Sequence, residues 1–194
     1  MSLIAALLIV SAQAGAQPAP ATQSPARAVL DAFRAVCDKV TDWNQLTQAA
    51  TAGGWTRVEE SSNPQLARIN QVARTAIGSD GRLIDSSFRR DVAGRSLHLV
   101  VSRWEGDGGK WGNGCRVYDL TAARPIAPLE LVTWMGRVPT GNQTFGALGS
   151  NLTWEPGWRE GLTVSVNHVP ATSAFRERYG VSGNVLVAQA LGGF

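Results

Sequence analysis

Apolar residues recur at three- and four-residue spacing as far as Ile77 and at two-residue spacing after it. A switch of period at Gly78 restricts the chain to helices first and a sheet afterwards. Ser24-Pro25 supplies a cap and a first position, and Val29, Leu30, Phe33, Val36, Cys37 and Val40 then share one helical face. A second helix is expected from Asp42, with Trp43, Leu46, Ala49 and Ala50 as its stripe and Gly53-Gly54 as its stop. Asn63-Pro64 opens a third, carried by Leu66, Ile69, Val72, Ala73 and Ile77.

Beyond Gly78, Leu97, Leu99 and Val101 alternate with Ser96, His98, Val100 and Ser102, the pattern of a half-buried strand. Residues 82–92 are its expected partner across Ala93-Gly94, and 115–120 read as the next strand. A short helix over 129–135 ends at Gly136, and the Gly-rich stretch 137–151 reads as a surface loop. Residues 152–155 and 162–166 suggest a hairpin, 172–179 a last short helix and 185–190 a last strand. Strands grouped apart from helices argue for an α+β class, not a doubly wound sheet. The expectation is an antiparallel sheet of about five or six strands with the N-terminal helices packed on one face.

The chain begins with an apolar run, Leu3 to Val10, followed by small residues ending Ala14-Gly15-Ala16. This reads as a signal peptide over 1–16 with cleavage near Ala16, although no basic residue precedes Arg27. The run is far shorter than the ~20 residues of a membrane-spanning helix. Residues 17–26 read as a flexible lead-in, and 27–194 as a single α+β domain. Export makes the protein periplasmic or secreted, so Cys37 and Cys115, the only two cysteines, are expected to form a disulfide. A reduced catalytic thiol is the alternative, but neither cysteine has a basic neighbour arranged to activate it. A net charge of +3 spread along the chain, with no basic stripe, gives no basis for nucleic-acid binding.

Phe33-x-x-x-Cys37, then Trp43, then Ala52-Gly53-Gly54-Trp55 behind a leader resembles a loose group of small exported bacterial proteins with no assigned activity. The likeness covers residues 27–60. It implies an envelope location and a cysteine in the first helix, and it carries over no catalytic residue.

The stretch from Trp104 to Leu120 holds five glycines. Their spacing matches neither a phosphate loop nor a dinucleotide fingerprint, and a strand, not a helix, follows, so a hairpin loop is expected. Calcium spacing is absent from Glu105, Asp107 and Asn113, and neither His98 nor His168 has a carboxylate three or four residues away. No metal or cofactor is therefore expected. Either histidine could still serve a hydrolase with a distant carboxylate, although a lone strand histidine is commonly a packed, hydrogen-bonded residue. Carboxylate pairs drawn from Glu105, Asp107, Asp119 and Glu155 would suit glycosidase chemistry, but spacing selects none.

Of seven tryptophans, Trp43, Trp55 and Trp134 fit core stripes. Trp104 and Trp111 bracket the glycine loop, and Trp154 and Trp158 bracket Pro156-Gly157. Such pairs either staple hairpins or form a platform for sugar rings or a partner. The sequence thus favours an exported, non-catalytic binding protein acting on a protein or an envelope component. The alternatives are an envelope hydrolase using His98 or His168, and a carbohydrate-binding module using Trp104, Trp111, Trp154 and Trp158.

Overall fold

Polar caps start the three N-terminal helices where the sequence places them. In a computed structural model that describes residues 23–79 and 81–194, Ser24 Oγ accepts from Arg27 N at the start of α1 (Pro25–Cys37). Asp42 accepts from the amides of Asn44 and Gln45 at the start of α2 (Trp43–Ala52). Asn63 Oδ1 accepts from Gln65 N and Leu66 N at the start of α3 (Pro64–Ile77), which Gly78 ends at φ +57°. Each cap satisfies amides that have no partner within the helix, an effect of about 1 kcal/mol. The signal peptide expected over 1–16, with its cleavage point, lies outside the described residues.

A two-residue strand β1 (Thr56–Arg57) lies between α2 and α3. After Gly78 come β2 (Arg82–Val92), β3 (Arg95–Glu105) and β4 (Trp111–Asp119). Helix α4 (Pro128–Met135) is followed by β5 (Gly141–Thr144), β6 (Ser150–Trp154), β7 (Thr163–Val169), the short helix α5 (Ala174–Tyr179) and β8 (Gly183–Gly192). All eight strands pair antiparallel in one sheet, in the order β1-β2-β3-β4-β8-β7-β6-β5.

The α+β class and the antiparallel sheet match the expectation, but the strand count of five or six is corrected to eight. Both unexpected strands are edges. β1 is too short to show a period, and Gly-Asn-Gln-Thr of β5 has no apolar residue because its side chains stand largely in solvent. An edge strand needs one partner and no buried face, so its sequence carries little trace of it.

The placement of helices on one face is also corrected. Leu97, Leu99 and Val101 join Cys115, Val117, Val164, Val166 and Leu186 under α1, α2 and α4. On the opposite face Val100, Tyr118, Leu120 and Val185 pack against Leu66 and Ile69 of α3. Residues from Leu97 to Val101 are therefore all buried, and what reads as alternation between an inner and an outer side is a strand covered on both.

Cys37, at the end of α1, is bonded to Cys115 in β4 with Cα atoms 5.4 Å apart. β4 stands fourth of eight in the sheet, so the bond fixes α1 over the middle of it. Phe33 lies beside the bridge in the same core, with its ring centroid 5.6 Å from that of Trp158 and 6.1 Å from that of Trp134. Closing a loop of 78 residues removes unfolded-state entropy worth up to about 4.5 kcal/mol. Replacing both cysteines by alanine is expected to lower the unfolding free energy by about 3–5 kcal/mol, measured by urea titration. An unchanged midpoint would show that the bridge adds nothing to the packing of α1.

Candidate functional site

The strand after the Pro156-Gly157 turn reads Leu162, Val164, Val166 at period two, and the same parity carries His168 inward. Register then places a polar row across that end of the sheet. Thr144 of β5 is opposite Ser150 of β6, Ser150 is opposite His168, His168 is opposite Asn184 of β8, and Asn184 is opposite Asp119 of β4. Directly paired residues project from the same side of a sheet, here the side of α4.

Between this row and α4 lies a cavity of about 460 Å³. Pro125, Ile126, Pro128, Leu131, Val132 and Leu152 form apolar walls, and Asn142, Thr144, Ser150, His168 and Asn184 supply polar groups. No charged side chain lines it. The size and the mixture of apolar wall with a few polar groups suit a small-molecule site.

His168 is 9% exposed and Asn184 1%. Asn184 Nδ2 donates to the carbonyl of Arg124 at 3.1 Å, so its Oδ1 is the atom 3.0 Å from His168 Nδ1. That network assigns the ring proton to Nδ1 and leaves Nε2 as an acceptor. Asp119, next in the row, is held by Arg95 at 2.5 Å and accepts from Thr121 Oγ1 at 3.3 Å. It is two strands from His168, about 10 Å at the backbone, and an amide, not a carboxylate, orients the ring.

His98 occupies the other face. Because Asn63 Oδ1 is used to cap α3, its Nδ2 faces the ring and donates to His98 Nε2 at 3.1 Å. Burial, with the positive charge of Arg89 on the paired strand, holds the His98 pKa below its ordinary value. A proton on Nε2 would set donor against donor and break the contact that steadies the cap. The sheet separates the two histidines, and no carboxylate hydrogen-bonds either ring among the described residues.

The bracketing tryptophans do not share a surface. Trp154 is fully buried, its Nε1 donating to Arg137 O at 3.1 Å. Trp158 packs edge-on against Trp134 and Phe33, with the Arg34 guanidinium 5.4 Å from its ring. Trp111 packs toward the α1 core and over Gly192, where a Cβ would come within 2.5 Å of its ring. Trp104 turns to the α3 face, where a Cβ on Gly81 or Gly106 would meet its indole at 2.3 or 2.4 Å. The glycine-rich stretch is the expected hairpin loop, and its Gly106 makes room for an indole. A smaller cavity, about 260 Å³, lies beside Trp104, but its Arg116 already donates to Ser102 and its Asp85 to Arg74 is an ion pair.

Both cysteine sulfurs are in the disulfide, and among the described residues no three His, Cys, Asp or Glu side chains gather into a cluster that could hold a metal ion. The parity of β7 could have singled out His168 as an inward polar residue. Thr144, Ser150 and Asn184 gave no such signal, because only strand register brings them to it.

No family model, curated protein or solved structure matches the chain. For His98 the linkage has a definite sign. Its folded pKa lies below the unfolded one, so its contribution is fully present above the unfolded value of about 6.5 and is lost as pH falls through the folded one. Glu60, held below the usual carboxylate range chiefly by its hydrogen bonds from Arg74, responds at lower pH. Stability measured by urea unfolding is expected to decline as pH drops below about 6.5. His98→Gln, which keeps an acceptor for Asn63, is expected to flatten that decline, and an identical slope in the variant would rule out His98 as its source.

Proposed function

We propose that the protein is an exported, non-catalytic binding protein, periplasmic or secreted, whose ligand site is the cavity beneath α4. The observation that carries this reading is a buried histidine of fixed tautomer, His168, at the floor of an uncharged, largely apolar cavity. Such a site recognises shape and one hydrogen bond. The disulfide, and the absence among the described residues of a helix long and apolar enough to cross a membrane, are compatible with export. The partner is thus an envelope component of small size.

Chemistry at the same site would need a nucleophile hydrogen-bonded to a base that a third group orients. Ser150 stands opposite His168, yet the ring's hydrogen bond goes to Asn184, and no hydrogen bond joins Ser150 to it. This favours binding over the hydrolase reading. A carbohydrate platform built from Trp104, Trp111, Trp154 and Trp158 has no support either, since the four indoles are divided between core and both faces of the sheet.

An environment-sensitive dye such as Nile red is expected to bind with enhanced emission at one site per chain. Val132 is a half-buried wall residue. Val132→Trp would fill the cavity and should weaken dye binding about tenfold or more, as the loss of one apolar contact set implies, while the circular dichroism spectrum stays unchanged. Equal binding by a folded Val132→Trp variant would place the ligand site elsewhere.

A further inference from the structure

Asn184 determines which ligands the cavity can satisfy. With its Nδ2 committed to the Arg124 carbonyl and its Oδ1 to His168 Nδ1, the Nδ1–H tautomer of the ring offers one acceptor, Nε2, and has no other hydrogen-bond partner among the described residues. His168 is more than nine-tenths buried and lines the cavity. A ligand that seals the cavity without donating to Nε2 leaves a buried acceptor unpaired, and one that donates removes that penalty. The walls from Pro125, Ile126, Pro128, Leu131 and Val132 contain no cation or anion, so a charged group entering there would lose its hydration without compensation.

We infer that the cavity takes an uncharged amphiphile, with an apolar body against α4 and a single hydroxyl or N–H group that donates to His168 Nε2. The polar end enters first. Ser150 is half-buried and Thr144 exposed, so their hydroxyls stand nearer the mouth and meet the solvent end of the ligand. This inference rests on the cavity being the ligand site.

The probes are para-butylphenol, para-butylanisole and para-butylbenzoate, each competing with Nile red on the purified protein at neutral pH. The three share a ring and chain and differ in the group offered to His168. The phenol is expected to bind about tenfold more tightly than its methyl ether, the size of one net hydrogen bond, with the benzoate weakest. In the wild-type protein labelled with ¹⁵N, the phenol should shift the His168 Nε2 resonance and leave the Nδ1–H tautomer in place, whereas the ether should not shift it. His168→Phe should bring the phenol and the ether to equal affinity; should that variant fail to fold, the wild-type resonance decides alone. If phenol and ether displace the dye equally, the donor requirement is overturned while the cavity stands as the site. Tightest binding by the benzoate overturns the uncharged class. If none of the three displaces a dye that Val132→Trp excludes, the inferred class is wrong; if the dye itself is indifferent to Val132→Trp, the underlying reading fails with it.

Discussion

The seating of α1 on the centre of the sheet is the constraint from which the rest of the structure follows. Val29, Leu30, Phe33 and Val36 bury one helical stripe in the core over β2 and β4, and the Cys37–Cys115 bond fixes the end of that stripe to a strand with four neighbours on one side and three on the other. Once α1 is placed, Trp134 of α4 and Trp158 pack beside Phe33, and Trp134 Nε1 donates to Asp31 of α1 at 3.0 Å. That contact holds α4 over β5 to β8. The cavity roof is thus positioned by the same core that the disulfide anchors.

The two faces of the sheet carry different tasks. The α3 face pairs Leu66 and Ile69 with a small apolar cluster, and its polar residues are tied to one another: Asn70 to Glu60 and Ser87, Arg74 to Glu60 and Asp85, Asn63 to His98. Apart from His98 Nδ1, which is buried without a partner, these groups satisfy one another, which is a structural arrangement. On the α4 face the row from Thr144 to Asn184 contains a histidine with one ring nitrogen engaged by Asn184 and the other facing the cavity. Each histidine keeps one ring nitrogen without a partner, Nδ1 of His98 buried beneath α3 and Nε2 of His168 at the cavity. His98 gives its acceptor to the cap of α3, whereas His168 keeps its own.

Much of the fold is legible in the sequence. Caps at Ser24, Asp42 and Asn63 and the stops at Gly53 and Gly78 come from local backbone chemistry, which acts over a few residues and so is written into adjacent positions. The turn at Ala93-Gly94 is of the same kind: both residues have positive φ, and Val92 pairs with Arg95 directly across it. The edge strands β1 and β5 escaped notice because an exposed edge imposes no apolar period. The second covered face escaped because a lone Val100 among Ser96, His98 and Ser102 does not reveal that Tyr118, Leu120 and Val185 join it from other strands.

Sequence alone determined the order of the helices and of the six longer strands, the α+β class and the partnership of the two cysteines, since each depends on periodicity, caps or the count of a single residue type. Tertiary structure decided the site. His168 shares a row with Ser150 and Asn184 because two antiparallel registers align residues 34 positions apart along the chain, and a register is set by turn lengths and by packing on both faces of the sheet. The glycines around Trp104 make the same point: their spacing argued for a hairpin loop, while only their contacts show that Gly106 and Gly81 leave room for an indole. Local chemistry is recorded residue by residue, but the meeting of distant side chains is recorded only in the fold that brings them together.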